Sequence, residues 1–250
     1  MAAELWAAPD AGPWQAERAG AAGTLAELAS PKLMALNSWF ETELPAAIAA
    51  RAPERYMTAS ELVQTVEWKL LQKFRPRLLD MAKALTEEQV RGASGAAFAR
   101  LLGGGGGGAP APADALAALA ELEVLKGVGP ATASALLSAA DGSGSTPFMA
   151  DESLEAALGS REYTGKAFKQ LLAALRAKAA WLAEQDPGGG WTAVGVQRCL
   201  FAAARRAKGP MKGAAAAPPP KAKAPPKAKA KAVAAPAGGP PAKKQRAKPR

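Results

Sequence analysis

The sequence contains no histidine and a single cysteine among its 250 residues. Without histidine it cannot form a Ser-His-Asp or Cys-His nucleophilic centre, a histidine-ligated zinc site or an imidazole general base. A carboxylate would have to carry any acid–base chemistry. Cys199 lies in an apolar stretch, which predicts a buried, reduced thiol. We therefore expect neither a bound metal nor a cofactor.

Long apolar runs and alternating apolar patterns are also missing. No run of 18 apolar residues occurs, and the first ten residues lack the basic start and apolar core of a signal peptide. These absences predict a soluble, intracellular protein with no membrane segment. Because no useful stretch alternates with the period of a strand, we expect an all-α body.

Positive charge is concentrated at the C-terminal end of the chain. All 22 acidic residues precede position 205, whereas 14 of the 32 Lys and Arg lie in residues 205–250, so the body carries a net charge of −4 and the tail +14. The tail is built of Lys, Ala, Pro and Gly, which predicts disorder and salt-sensitive phosphate binding. Lys243, Lys244 and Arg246 form a basic nuclear-localisation pattern. A merely solubilising tail is the alternative.

Composition divides the chain into three parts. Residues 1–30 are rich in Ala and Gly without clear periodicity, which predicts a flexible arm, although Trp6 and Trp14 could hold it against the body. Residues 31–207 form the predicted helical domain, which contains a flexible Gly/Pro-rich loop at 103–113. Residues 208–250 form the tail.

Capping patterns mark several helix starts in the domain. Thr58 with Glu61, and Thr86 with Gln89, match the capping box and predict helices over 59–72 and from 87 to about 102. Further helices are expected over 31–50, 76–85, 164–184 and 192–208. An Asp-Gly-Ser-Gly-Ser turn is expected at 141–145.

A Gly-x-Gly turn between two apolar helical runs is the most informative motif. Gly127 and Gly129 suit a tight hairpin, and Pro130 suits the first position of the second helix. Free backbone N–H groups and the positive end of a helix dipole favour an anion such as a nucleic-acid phosphate. We expect the phosphate contacts at Lys126, Gly127, Val128, Gly129 and Thr132.

A second candidate for DNA contact is a basic cluster with interleaved aromatic residues. Its cations are Lys69, Lys73, Arg75 and Arg77, and its aromatic residues are Trp68 and Phe74. Such a cluster can bind phosphates and stack on bases. A solvated helix end is the simpler interpretation.

The hairpin residues, Leu-Lys-Gly-Val-Gly-Pro-Ala-Thr-Ala at 125–133, resemble the helix-hairpin-helix motif. Asp151 resembles the acidic residue that follows this hairpin in the helix-hairpin-helix DNA glycosylases. Segments 56–58, 66–70, 73–78 and 147–152 are similar to a eukaryotic nuclear group, the Amun-like family, described as carrying a glycosylase-like domain. The resemblance covers roughly residues 31–207 and implies a helix-hairpin-helix glycosylase-like fold for that part, which the basic tail, predicted from its composition to be disordered, follows.

What the resemblance implies for chemistry is limited by two departures. The lyase-competent relatives carry a lysine where this chain has Ala131, so Schiff-base strand cleavage should be missing. One cysteine cannot supply the four thiolates of the iron–sulfur cluster found in some relatives. Asp151 is the remaining candidate catalytic residue, acting on a flipped-out nucleotide. The alternative is that Asp151 only caps the following helix.

Three functions remain open at this point. The first is a nuclear or chromatin-associated DNA-binding protein that keeps the glycosylase-like fold without catalysis. The second is a monofunctional DNA glycosylase that removes damaged or modified bases in DNA repair. The third is a protein-interaction adaptor in which the hairpin only packs helices. DNA is the expected partner, chromatin proteins are possible partners, and the sequence gives no indication of oligomeric state.

Overall fold

The computed structural model describes residues 2–72, 76–103 and 108–209, and every regular element in these ranges is helical. The all-α prediction is therefore confirmed for this part of the chain. The helices are α1 Ala2–Trp6, α2 Gly12–Leu28, α3 Pro31–Ser38, α4 Leu44–Ala50, α5 Ala59–Gln72, α6 Pro76–Lys83, α7 Glu87–Leu102, α8 Pro112–Glu123, α9 Pro130–Ala140, α10 Asp151–Leu158, α11 Gly165–Gln185 and α12 Ala193–Lys208. A π-helical turn, Trp39–Glu43, joins α3 to α4.

Some sequence predictions fall outside the described ranges. These are the predicted disorder of the tail beyond residue 209, the localisation residues Lys243, Lys244 and Arg246, and residues 104–107 of the predicted Gly/Pro-rich loop. Lys73 and Arg75 of the basic cluster are also outside. No helix in the described part of the chain is long and apolar enough to cross a bilayer.

Side-chain caps start the helices where the sequence predicted them. The Thr58 hydroxyl accepts from Glu61 N at 3.2 Å, and the Glu61 carboxylate accepts from Thr58 N at 2.9 Å. Thr86 and Gln89 form the same reciprocal pair at the start of α7. Thr192 accepts from Gly195 N and begins α12. Each cap satisfies N–H groups that a helix start leaves without intrahelical acceptors.

The N-terminal segment is helical, so the prediction of a flexible arm was wrong. Trp14 of α2 is fully buried and makes edge-to-face contacts with Trp6 and Trp191, in each case at 6.4 Å between ring centroids. Glu17 of α2 pairs with Arg206 of α12 at 2.6 Å. Tertiary contacts, rather than an amphipathic pattern, hold this Ala/Gly-rich stretch in place.

The centre of the domain is formed by α8, α9, α11 and α12. Leu119, Leu136, Leu171 and Leu200 are each at most 1% exposed. Many positions of α9 are alanine, which allows neighbouring helices to approach it closely. Cys199 is 1% exposed, as the sequence predicted, and burial raises the pKa of its thiol to about 12.

The segment after α9 is fixed by Asp141. Its carboxylate accepts the backbone N–H groups and hydroxyls of Ser143 and Ser145 at 2.6–3.0 Å. Arg176 donates to the carbonyl oxygens of Ser145 and Pro110 at 2.9 and 2.8 Å. The predicted polar turn is thus held by side-chain hydrogen bonds on the path of the chain from α9 to α10.

Candidate functional site

The hairpin and Asp151 line the same cleft. Its volume is about 470 Å³, which lies within the usual range for small-molecule sites. The cleft is lined by parts of α5 and α6, the hairpin turn, the first residues of α9 and α10, and the last turn of α12. Its polar and charged side chains are Lys69, Thr132, Asp151, Glu152, Arg161, Tyr163, Arg205 and Lys208.

The hairpin turn depends on Gly127. Its φ is +89°, and a Cβ at this position would lie 2.8 Å from Cβ of Met81. Val128 is 5% exposed, and its N–H donates to Leu125 O at 2.9 Å. Val128 therefore stabilises the turn from within, and its N–H, which was expected to contact phosphate, is already bonded.

Gly129 and Pro130 open α9 at the edge of the cleft, where the sequence placed the start of this helix. Gly129 has extended backbone, and a Cβ added to it would meet nothing within 4 Å. Thr132 is buried, and its N–H donates to Gly129 O at 2.8 Å. Lys126 is exposed and does not line the cleft.

Ser134 connects α9 to the chain that leads to Asp151. Its hydroxyl accepts from Met149 N at 3.0 Å and donates to Ala131 O at 3.2 Å. Asp151 is the first residue of α10, and the N-cap position belongs to Ala150. The interpretation of Asp151 as the capping residue is therefore wrong. Two helix N-termini, those of α9 and α10, border one cleft.

Asp151 is held by the loop that follows α10. The Tyr163 hydroxyl donates to Asp151 Oδ1, and Arg161 Nη1 lies 3.8 Å from Oδ2. Arg161 also donates to Glu155 at 2.6 Å, which raises the pKa of its guanidinium and keeps it charged. The Asp151 side chain is 21% exposed. Its carboxylate is thus oriented by a phenol and a cation while solvent or a ligand still reaches it.

A second carboxylate, that of Glu152, lies next to Asp151 and is buried. Its side chain is 5% exposed and pairs with Arg205 at 2.7 Å and with Lys208 at 3.5 Å. Both cations belong to the last turn of α12. The Arg205 side chain is 15% exposed, whereas that of Lys208 is 50% exposed.

The basic cluster is only partly at the cleft. Lys69 lines it, whereas Arg77 is exposed and does not. Trp68 is 5% exposed, stacks on Phe40 at 3.8 Å and donates to Asn37, so it is not available to stack on a base. The aromatic component of the predicted cluster therefore belongs in part to the core.

The cleft also has apolar lining residues, which include Leu70, Leu78, Phe148 and Met149. Ala131, at the position of the lyase lysine, also lines the cleft and is 8% exposed. In the described ranges no group of three or more acidic or cysteine side chains is placed to hold a metal ion.

Five polar residues of the cleft were not proposed from the sequence as site residues: Glu152, Arg161, Tyr163, Arg205 and Lys208. Arg205 and Lys208 are three positions apart, which puts them on one face of a helix. That spacing could have indicated a basic face, but nothing local shows that the face points to the hairpin.

Comparison of the chain with protein-family models, with curated proteins and with solved structures finds no match.

Proposed function

We propose that this protein is a nuclear DNA-binding protein whose glycosylase-like helix-hairpin-helix domain contacts the nucleic-acid backbone at the hairpin. The observation that carries the proposal is that the Gly-x-Gly turn, the start of α9 and Asp151 border one cleft. This shared cleft supports the proposal, because a ligand bound at the hairpin would also lie near Asp151.

Electrostatics supports an anionic ligand. Four cations and two carboxylates line the cleft, and two helix N-termini add partial positive charge. The four cations and two carboxylates give the lining of the cleft a net charge of +2. The basic tail would add sequence-independent affinity and the signal for nuclear import.

Gly129 offers the sharpest test of the hairpin. Gly127 is unsuitable, because any side chain there is strained and meets Met81. Gly129→Glu fits the open space and places a negative charge where a phosphate would lie. We expect at least about tenfold weaker binding of duplex DNA, roughly 1.4 kcal/mol, because like charges would be juxtaposed.

The matched control is Gly142→Glu, which makes the same charge change in open space away from the cleft. Binding is measured by fluorescence anisotropy with the full chain and with residues 1–217, which include all the described helices and lack most of the tail. Equal affinity of the two variants in the shorter chain would refute hairpin binding and favour the adaptor function.

A second candidate function is base excision by a monofunctional glycosylase. It is favoured by the position of Asp151 in a cleft of about 470 Å³ that apolar residues also line. A carboxylate there could activate water or stabilise a sugar cation as the base leaves. Ala131 offers no amine for a lyase step.

Single-turnover base release tests this candidate, using duplexes with alkylated, oxidised, deaminated or methylated bases. If Asp151 is the catalytic residue, Asp151→Asn should lower release at least about 100-fold, in the range typical of acid–base groups, and leave DNA binding intact. The exposed Asp80→Asn serves as control. If the parent protein binds these duplexes but releases no base from any of them, the glycosylase function is contradicted and the noncatalytic DNA-binding function is favoured.

A further inference from the structure

The last turn of α12 reaches the cleft through an ion-pair triad. Glu152 is buried at the start of α10, and the cations that contact it come from a helix more than 50 positions later. A carboxylate so far removed from water requires partners, and here one acid is shared by two cations. The triad therefore carries a net charge of +1 at the cleft.

The two cations have different surroundings. Arg205 is largely enclosed, is in contact with Glu152 at 2.7 Å and lies over the ring of Phe201 at 5.2 Å. Lys208 is at the longer distance of 3.5 Å and is half exposed. Arg205 thus fixes α12 to α10, while the ammonium of Lys208 can reach solvent and a ligand.

We propose that Lys208 contacts a backbone phosphate of the same DNA that lies on the hairpin, and that Glu152 and Arg205 position it. The inference rests on the proposed function, because it assigns a second phosphate contact to the same cleft. It concerns the DNA backbone, so its effect is independent of base sequence.

The test is the salt dependence of duplex binding by Lys208→Gln. The logarithm of the DNA association constant falls linearly with the logarithm of the salt concentration, and loss of one phosphate contact should make this slope less steep by about 0.9. Lys169→Gln is the control, since Lys169 is exposed and lies outside the cleft lining. Both variants lose one positive charge. A Lys208→Gln slope equal to that of the control would overturn the contact.

The variant Glu152→Gln distinguishes the positioning of Lys208 by Glu152 from the effect of the negative charge of Glu152 on DNA binding. Removal of a negative charge alone predicts tighter DNA binding, whereas loss of the positioning group predicts weaker binding. Weaker binding by a folded variant supports the role of Glu152, and tighter binding overturns it. If this variant does not fold, the slopes of Lys208→Gln and Lys169→Gln decide whether the contact exists.

The inference and the proposed function can fail separately. If Gly129→Glu weakens binding and Lys208→Gln behaves like its control, only the contact at α12 is wrong. If neither variant differs from its control, hairpin binding and the α12 contact are both wrong.

Discussion

Single carboxylates determine how the chain is arranged around the cleft. Asp141 closes the turn after α9, Asp151 faces the cleft, and Glu152 links α10 to α12. Of these, Asp141 is the one whose role is purely structural. Burial opposes its ionisation, but hydrogen bonds from Ser143 and its neighbours outweigh this and lower its pKa.

Asp141 should therefore stabilise the fold in its ionised form. Because its pKa is lower in the native state, its contribution is complete above the unfolded pKa of about 3.9 and is lost as pH falls through the native pKa. At neutral pH we expect Asp141→Asn to reduce the free energy of unfolding by about 2 kcal/mol, the scale of a hydrogen bond to a charged group.

Urea unfolding at several pH values measures this effect. The difference between the parent protein and Asp141→Asn should shrink at acidic pH, because the parent then loses its own charge. Asp80→Asn, at an exposed position, should change stability little at any pH. A difference that stayed constant down to low pH would show that the ionised form of Asp141 is not responsible.

Helices with local signals were predictable from the sequence, whereas those held by distant contacts were not. Thr58, Thr86 and Thr192 each identified a helix start because a cap involves only neighbouring residues. Helix α2 gave no such signal, because its small residues form no apolar stripe. The burial of Trp14 depends on contact with Trp191, which is far away in the sequence.

The residues of the candidate site also fall into those that the sequence could predict and those that it could not. The hairpin and Asp151 were found from a contiguous motif and a resemblance. Tyr163 and Lys208 were not, because their roles depend on how a loop and a distant helix fold back onto α10. Trp68 was misread because an aromatic residue beside cations has the same sequence pattern whether it faces DNA or the core.

At the scale of the described molecule, α12 joins the N-terminal helices to the cleft. Two consecutive residues do this: Arg206 pairs with Glu17 of α2 at 2.6 Å, and Arg205 pairs with Glu152 at 2.7 Å. Trp14, packed against Trp191 just before α12, buries the apolar part of the same contact. The N-terminal helices therefore support the helix that carries the proposed phosphate contact.

Truncation of Trp14 should weaken this support. We expect Trp14→Ala to reduce the free energy of unfolding by about 3–5 kcal/mol, the usual cost of removing a buried aromatic side chain. Trp14→Phe should cost much less, because it keeps an aromatic ring and removes an indole N–H that is buried without an acceptor in the described structure. Denaturant unfolding of both variants measures the difference.

Equal stability of Trp14→Ala and the parent protein would mean that α1 and α2 are dispensable for the stability of the fold. If Trp14→Ala also weakens DNA binding under conditions where it is folded, the effect is transmitted through the packing of α1 and α2 on α10 and α12, because no residue of α1 or α2 lines the cleft.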